Sequence, residues 1–222
     1  MLTANAAWEQ QIRRLLNPSI GTPYFDSKPR GINCREILGE QIVFDMKHPT
    51  VTNKRRKLSY DFMEAEAKWI VAGSNDLNFH PEINAKLYPY SDNGKTMAGA
   101  YGPMIMYQRD YVIDALTIDP DTRQAVLTIW KPNPGPSKDI PCTLAMQFFI
   151  REDEMHTVVF MRSSDTWMGL PYDMYSFTKV TESILEDLSM RDLYVLGNCT
   201  INIGSSHLYA YNWDQAVECL KD

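Results

Sequence analysis

The sequence predicts an α+β fold in which a largely antiparallel sheet is covered by helices. Two segments place apolar residues at helical spacing, and five runs have the composition of strands. A short polar stretch from Arg151 to Glu154 joins two of these runs as a hairpin. A sheet of this kind, covered by helices, belongs to the α+β class. The two helices with the clearest spacing are 5–17 and 172–189, and the five strand-like runs, all in the second half of the chain, are 123–131, 142–151, 155–162, 193–203 and 206–211.

The first half of the chain alternates regular elements with irregular segments. Trp8, Ile12 and Leu15 lie at i, i+4 and i+7 within helix 5–17, and a proline-containing loop follows over 18–32. Residues 35–46 have the pattern of a strand around a Gly-Glu turn.

The middle of the chain is predicted to combine helices with a long surface excursion. Ser59 is the expected cap of a helix over 60–71, which ends at Gly73. Residues 73–103 are rich in Asn, Gly and Pro and are expected to be irregular, and a short helix is expected over 106–117.

The composition excludes several classes of protein. The chain has 222 residues, of which 44% are apolar and 23% charged, so we expect one globular domain over residues 1–222. Its net charge of −6 argues against binding duplex nucleic acid. No apolar run approaches the roughly 18 residues of a membrane helix. The first residues lack the pattern of a signal peptide, so we expect a cytoplasmic protein. The cysteines and histidines lack metal-binding spacing, so no metal is expected.

Cys142 follows Pro141 at the start of an apolar strand. A cysteine in that position is either a buried core residue or a nucleophile. A nucleophilic cysteine needs a nearby base, or a cation that lowers the pKa of its thiol. Arg162 lies at the end of the next strand of the predicted hairpin, so strand pairing can bring its guanidinium to the same end of the sheet as Cys142.

Residues 161–173 join a strand to a helix and combine Arg162 with hydroxyls and carboxylates. Such a segment suits an anion-binding site, because backbone N–H groups at a helix N-terminus attract negative charge. The alternative is a structural ion pair, with Asp173 as the cap of the following helix.

Two further groups could take part in chemistry. His207 and Tyr209 lie on one side of a strand, where they are either packed residues or ligands of a sugar or phosphate. Glu66 shares a helix face with Met63 and Ile70. It is therefore either a tolerated surface residue or an acid–base group with a raised pKa.

In order and spacing, these residues resemble the thymidylate synthase superfamily. Pro141-Cys142 is followed by Gln147, and Arg-Ser-Ser-Asp begins 20 residues after Cys142, ahead of Gly-Leu-Pro-Tyr at 169–172. Gly-Ser-Ser-His-Leu-Tyr at 204–209 is similar to the Gly-x-x-His-x-Tyr motif of that family. Glu66-x-x-Trp69 resembles the helix that carries its catalytic glutamate. The similarity extends from about residue 28 to 212.

The resemblance implies a role for each residue of the site. The implied catalytic residues are Cys142, Glu66 and Asp173. The implied nucleotide-binding residues are Arg30, Arg123, Arg162, Ser163, Gln147, Asp173, His207 and Tyr209. The implied folate-binding residues are Asp165, Tyr172, Trp69, Arg55 and Arg56. The resemblance also implies a homodimer in which Arg123 reaches the phosphate site of the other subunit.

Four departures from the family pattern refine the expectation. The thymidylate-making members carry Asn at the position of Asp173, whereas the deoxycytidylate hydroxymethylases of phages carry Asp. Only 15 residues follow His207, fewer than in thymidylate synthases. The segment 83–92 lacks the Trp that shields the reaction intermediate, and Gln124 replaces an Arg of the phosphate site.

We therefore expect 5-hydroxymethylation of dCMP, with 5,10-methylenetetrahydrofolate as the one-carbon donor. In that reaction Cys142 attacks C6 of cytosine, C5 accepts the one-carbon unit, and water completes the product. Three alternatives stay open: a dCMP methyltransferase that takes a hydride from the folate, a CMP hydroxymethylase, and a non-catalytic nucleotide-binding relative. The expected partners are the small-molecule substrate dCMP and a second copy of the chain. Neither nucleic acid nor a membrane is expected as a partner. A phage-encoded protein would work in the host cytoplasm.

Overall fold

A six-stranded sheet forms the centre of the molecule. The computed structural model describes residues 1–17, 24–188 and 191–221. The strands lie in the order β1-β2-β6-β5-β4-β3. All neighbours are antiparallel except β5 and β6, so the predicted α+β class with a largely antiparallel sheet is confirmed. The strands are β1 (Phe25–Ser27), β2 (Cys34–Asp45), β3 (Val126–Thr128), β4 (Thr143–Arg151), β5 (Glu154–Asp165) and β6 (Val195–Tyr209).

Six helices are present in the described part of the chain. Helices α1 and α5 pack on β2, β5 and β6, and α4 packs on β3 and β4. Helix α2 packs on α5 as a second layer. The core between helices and sheet is apolar, with Trp8, Phe148 and Phe177 fully buried. The helices are α1 (Ala4–Leu16), α2 (Tyr60–Val71), α3 (Pro81–Leu87), α4 (Gly102–Ile118), α5 (Leu170–Asp187) and α6 (Trp213–Cys219).

Several predicted boundaries are wrong, and each error has a physical reason. The expected strand over 123–131 contracts to β3, which pairs with β4 along three residues. The runs 193–203 and 206–211 form the single strand β6, because β2 and β5 pair with it on both sides. The strand over 35–46 continues through Gly39, which adopts a φ of +67°. The excursion over 73–103 contains helix α3, and the helix expected at 106–117 begins earlier, at Gly102.

Other local predictions are confirmed. The Ser59 side chain accepts a hydrogen bond from the Phe62 N–H, so it caps α2 as expected. The hairpin between β4 and β5 turns through Glu152 and Asp153, both with positive φ. Part of the predicted loop over 18–32 lies outside the described residues, which resume at Tyr24.

Along β5 and β6, the alternation of buried and less buried residues shifts by one residue at a similar level of the sheet. In β5, Met161 and Ser164 are buried whereas Ser163 is half-buried, and in β6 the change falls around Gly204. A Cβ at Gly204 would lie 2.7 Å from the Arg162 carbonyl oxygen, so glycine is required where the two strands meet. The polar side chains beyond this level therefore form a half-buried row instead of joining the core.

The sheet face opposite the helices is less covered. Its side chains alternate with the buried ones and are half-buried or exposed, and Leu38 and Phe160 are 53% and 40% exposed. Apolar side chains on an exposed sheet face are typical of an interaction surface. We call the set Leu38, Val43, Gln147, Val158 and Phe160 the open sheet face.

Candidate active site

Cys142 lies immediately before β4, next to the end of β5. The Arg162 N–H donates to the Cys142 carbonyl at 2.8 Å, and the Ser163 hydroxyl lies 3.7 Å from the Cys142 sulfur as a donor. The Arg162 guanidinium donates to the carbonyls of Pro141 at 3.0 Å and Ile140 at 2.9 Å. The hairpin therefore brings the cysteine and the arginine together, as its pairing predicts.

The surroundings of Cys142 favour the protonated thiol over the thiolate. Burial raises its pKa, and the carboxylates of Asp173 and Asp139 add to this effect. Arg162 and the Ser163 hydroxyl act in the opposite direction. The expectation that cationic neighbours depress this pKa is thus corrected, because removal from water outweighs them. To form the thiolate, the thiol must either give its proton to another group or have neighbours that stabilise its negative charge.

A cavity of about 130 Å³ lies between α2, the segment before α4 and the start of α5. Three carboxyl groups line it, those of Glu66, Asp139 and Asp173, together with Tyr101. The rest of the wall consists of Trp69, Ile70, Leu87, Met97, Gly99 and Ala100. Acid groups gathered in a partly apolar cavity are typical of sites for proton transfer.

Burial changes the proton affinities of these acids. It raises the pKa of Glu66 to about 8, and the Asp173 carboxylate contributes to this increase. It raises the pKa of Asp173 to about 7, with a contribution from Asp165. The pKa of Tyr101 is likewise raised by burial, and Asp173 and Cys142 act in the same direction. Of the two interpretations of Glu66, the structure therefore favours the acid–base group.

Asp173 does not cap its helix. The N-terminal cap position of α5 is Gly169, and no side chain accepts a cap hydrogen bond there. The Asp165 carboxylate instead accepts from the N–H groups of Trp167 and Met168, each at 2.9 Å, just before the helix. The carboxyl of Asp173 is consequently left to the cavity.

A second group of predicted residues lies beyond the shift in the burial alternation of β5 and β6. Asp165 and His207 are register partners in the parallel pair β5 and β6. The His207 and Tyr209 rings meet edge to face with their centroids 5.2 Å apart. Burial raises the pKa of Tyr209, Asp165 adds to it, and Arg30 opposes it, so the charges of Asp165 and Arg30 both act at Tyr209. Arg30 itself is exposed in a turn, with a φ of +53°.

The predicted folate residues differ in their surroundings. Tyr172 packs edge-on against Phe62 at 5.1 Å, and its hydroxyl accepts from the Ser59 N–H at 3.3 Å. Trp69 is buried in the cavity wall, and its indole N–H donates to the Asp76 carbonyl at 2.9 Å. Trp69 therefore lies beside the carboxyl groups of the cavity, whereas Tyr172 contacts α2 and does not line the cavity.

The two arginines of the basic run are separated by the fold. Arg56 is buried, stacks on the Trp167 ring at 4.5 Å and donates to the Trp167 carbonyl. Its guanidinium thus has a structural contact, and its assignment to the folate stays a prediction. Arg55 is exposed and donates to the Lys221 carbonyl near α6.

Two predicted nucleotide residues lie away from the cavity. Arg123 is exposed on a turn before β3. Gln147 belongs to the open sheet face, and its amide donates to the Arg123 carbonyl at 2.9 Å. Within one subunit Gln147 therefore contacts the backbone of Arg123, and its assignment to the nucleotide stays a prediction.

Asp139 and Tyr101 complete the cavity but were not among the predicted site residues. Asp139 stands three residues before Cys142, which was the one signal that could have suggested it. Tyr101 precedes a helix in a segment expected to be irregular. In the described ranges no cluster of His, Cys, Asp and Glu could hold a metal ion, and no helix has the length and apolar character to cross a bilayer.

The sheet, the cysteine beside an arginine and the cavity of acid groups together form the candidate active site of an enzyme. The chain belongs to the thymidylate synthase family, because the model of that family matches residues 9–222. It is accordingly a one-carbon transferase of that family.

Individual relatives are of two kinds. The chain is 25% identical over 193 residues to a "Putative thymidylate synthase" of Methanococcoides burtonii, covering 86% of this chain and 82% of that protein. A protein of the same description from Methanosarcina barkeri is 26% identical over 200 residues, with the same coverage of 86% and 82%. The deoxyuridylate hydroxymethyltransferase of Bacillus phage SP01 is 28% identical over 179 residues, covering 70% of this chain and 46% of that protein. The match thus spans about half the length of the phage enzyme.

Proposed function

We propose that the protein transfers a hydroxymethyl group to C5 of dCMP, with 5,10-methylenetetrahydrofolate as the one-carbon donor. The observation that carries this proposal is the position of Asp173. Its carboxyl shares a cavity with that of Glu66 and acts electrostatically on Cys142. Asp173 does not cap its helix, so its position is explained by the base that it would bind.

The reaction requires an attacking thiol because C5 of cytosine is by itself a poor nucleophile. Addition of the Cys142 sulfur to C6 makes C5 enamine-like, so that C5 can bond to the one-carbon unit. Glu66 would organise the proton movements, since an acid with a pKa near 8 exchanges protons close to neutral pH. The Arg162 guanidinium would stabilise the thiolate that forms during these steps.

Asp173 supports cytosine as the base. An ionised carboxylate accepts from the N4 amino group, and it accepts from N3–H once attack at C6 has made N3 basic. The same carboxylate facing O4 of uracil would set two acceptors against each other. Opposed polar groups in a buried site discriminate between ligands by up to about 10⁴-fold.

The remaining residues would bind the rest of the nucleotide and the folate. Arg30, Arg162 and Ser163 suit the 5′-phosphate through charge-assisted hydrogen bonds, and His207 with Tyr209 suits the 3′-hydroxyl. Trp69, Ile70 and Leu87 in the cavity wall would offer apolar surface for the flat ring of the folate. The folate contacts would come from Trp69, Tyr172 and Asp165, with Arg55 toward the glutamate tail.

Water is favoured over hydride as the group that completes the product. Hydride transfer needs a site from which water is excluded. Three carboxyl groups line this cavity, and the segment 83–92, which includes most of α3, carries no Trp. The relative from Bacillus phage SP01, named a deoxyuridylate hydroxymethyltransferase, makes dUMP the second candidate substrate.

A homodimer through the open sheet face would complete the site. That face carries exposed apolar side chains, and Gln147 on it fixes the backbone of exposed Arg123. Arg123 of one subunit would then reach the phosphate held by Arg162 of the other. Self-complementary faces of this kind are the usual basis of two-fold dimers.

The test is incubation with dCMP, CMP or dUMP and the folate, followed by mass analysis. Hydroxymethylation adds roughly 30 Da and methylation roughly 14 Da. An increase of roughly 30 Da in the mass of dCMP supports the proposal. Methylated product together with dihydrofolate contradicts it. Cys142→Ala is the matched inactive control.

Asp173→Asn tests the basis of substrate choice. The amide can pair with uracil, so kcat/KM should shift from dCMP toward dUMP by at least about 100-fold in ratio. An unchanged ratio would remove Asp173 as the residue that selects the base.

A further inference from the structure

Asp139 is the third carboxyl group of the cavity, and the proposed chemistry gives it no part. It lines the cavity together with Glu66 and Asp173. Its Oδ2 accepts a hydrogen bond from the Gly99 N–H at 2.6 Å. Its Oδ1 has no hydrogen-bond partner in the described ranges. One carboxylate oxygen is therefore anchored, and the other can bind an additional group.

The backbone around Asp139 is held closely against the cavity wall. A Cβ at Gly99 would lie 2.7 Å from the Asp139 carbonyl oxygen and 2.9 Å from the Pro141 nitrogen. Contacts this short leave no room for a side chain, so the wall segment 97–101 packs directly on the segment that leads to Cys142. Asp139 is thus fixed relative to the nucleophile, as a group that acts on a reacting atom must be.

We propose that Asp139 is the general base that activates the water completing the hydroxymethyl product. This inference rests on the proposed function. A water bound to Oδ1 gives its proton to Asp139 while its oxygen bonds to the exocyclic methylene carbon at C5 of the cytosine. The methylene π electrons move into the ring, the C5=C6 double bond forms again, and the C6–S bond breaks. Cys142 leaves as a thiolate, which then takes up the proton from Asp139.

The other two acids are less suited to this step. A general base must be ionised when it acts. Glu66, whose pKa is raised to about 8, favours the protonated form near neutral pH, and the carboxylate of Asp173 is already used to bind cytosine in the proposed function. Burial raises the pKa of Asp139 as well, and the hydrogen bond that its carboxylate accepts from the Gly99 N–H acts in the opposite direction. That bond stabilises the carboxylate through Oδ2, and a carboxylate that burial makes more basic is a better proton acceptor.

Asp139→Asn separates this role from a structural one. The amide oxygen can still accept from the Gly99 N–H, but the side chain cannot take a proton. Loss of the negative charge also removes one group that raises the pKa of Cys142, so addition to C6 is not weakened. The assay follows release of tritium from C5 of labelled dCMP, which reports the steps before water addition, and formation of 5-hydroxymethyl-dCMP.

We expect tritium release to continue while hydroxymethyl product falls by about 100-fold or more. Added 2-mercaptoethanol should yield the corresponding 5-thioether, because its thiolate needs no base. Asp92→Asn is the control. Asp92 accepts hydrogen bonds from Ser137 and Lys138, which precede Asp139 in the chain, but it does not line the cavity. Tritium release and formation of the hydroxymethyl product should therefore remain equal in this variant. Thermal unfolding and dCMP binding report whether each variant is folded.

Two outcomes would overturn the role of Asp139. In one, Asp139→Asn forms hydroxymethyl product in step with tritium release. In the other, release and product decline together in a folded variant, which indicates a positioning residue. The wild type distinguishes failure of the proposed function: if it forms methylated dCMP with dihydrofolate, or no product, the water step itself is absent and the proposal falls with it.

Discussion

Replacing Glu66 with Gln should make the protein more stable in alkaline solution. In the folded protein burial raises the pKa of Glu66 from its ordinary 4.5 to about 8. Folding therefore favours the protonated form, and the native state binds more protons than the unfolded state between these two values. The stability of the wild type consequently falls as the pH rises from about 4.5 to about 8, and the full destabilisation is present above 8.

The size of the effect follows from the same two pKa values. A change from 4.5 to about 8 corresponds to a ceiling of about 5 kcal/mol, at 1.36 kcal/mol for each tenfold change in affinity. Glu66 lies in a cavity that water can enter, so we expect about 2–3 kcal/mol. That corresponds to an increase in Tm of roughly 5–10 °C for Glu66→Gln at pH 9.

Urea and thermal unfolding at pH 4.5 and pH 9 provide the measurement. The two proteins should agree within about 1 kcal/mol at pH 4.5, where Glu66 is protonated in the folded state and half protonated in the unfolded state. Glu64→Gln is the matched control, because Glu64 lies on the same helix but is exposed and pairs with Lys68 at 3.3 Å. If Glu66→Gln gains no stability at pH 9, the carboxyl is solvated and its assignment as a buried acid–base group is wrong.

Three further predictions test other parts of the site. Cys142→Ala should abolish turnover yet change the dCMP Kd by less than about threefold, and residual activity above about a tenth would contradict covalent catalysis. Mixing Arg123→Ala with Cys142→Ala protein should restore activity, since a mixed dimer retains one unaltered site. Absence of complementation despite subunit exchange would count against the shared site. Gly204→Ala should lower the free energy of unfolding by about 1–3 kcal/mol, because its Cβ would meet the Arg162 carbonyl, and an unchanged urea midpoint would refute that contact.

The parts of the fold that the sequence predicts well depend on local interactions. Ser59 caps α2 through a hydrogen bond three residues along the chain, and the turn between β4 and β5 follows from two adjacent polar residues. β6 was predicted as two runs because Gly204 and the serines after it favour a break. Pairing along both of its edges overrides that preference, and residues far away in the sequence supply those pairs.

The site shows the same division between local and distant causes. Cys142 and Arg162 could be placed together because a hairpin connects their strands. The burial of Arg56 could not be predicted, since its partner Trp167 lies 111 residues away. Asp139 was missed for a similar reason: its importance comes from a cavity that it shares with Glu66 and Asp173, which belong to two different helices.

The walls of the cavity connect proton affinity with the choice of product. Carboxyl groups removed from bulk water need hydrogen-bond partners, so a cavity lined by Glu66, Asp139 and Asp173 retains water more strongly than an apolar one. Hydride transfer to a carbon held there would compete with water that the site itself retains. The acids that burial makes suitable for proton transfer near neutral pH thereby also favour an alcohol product. Replacing them with apolar groups would remove both properties at once, so product choice and acid–base chemistry are linked in this site.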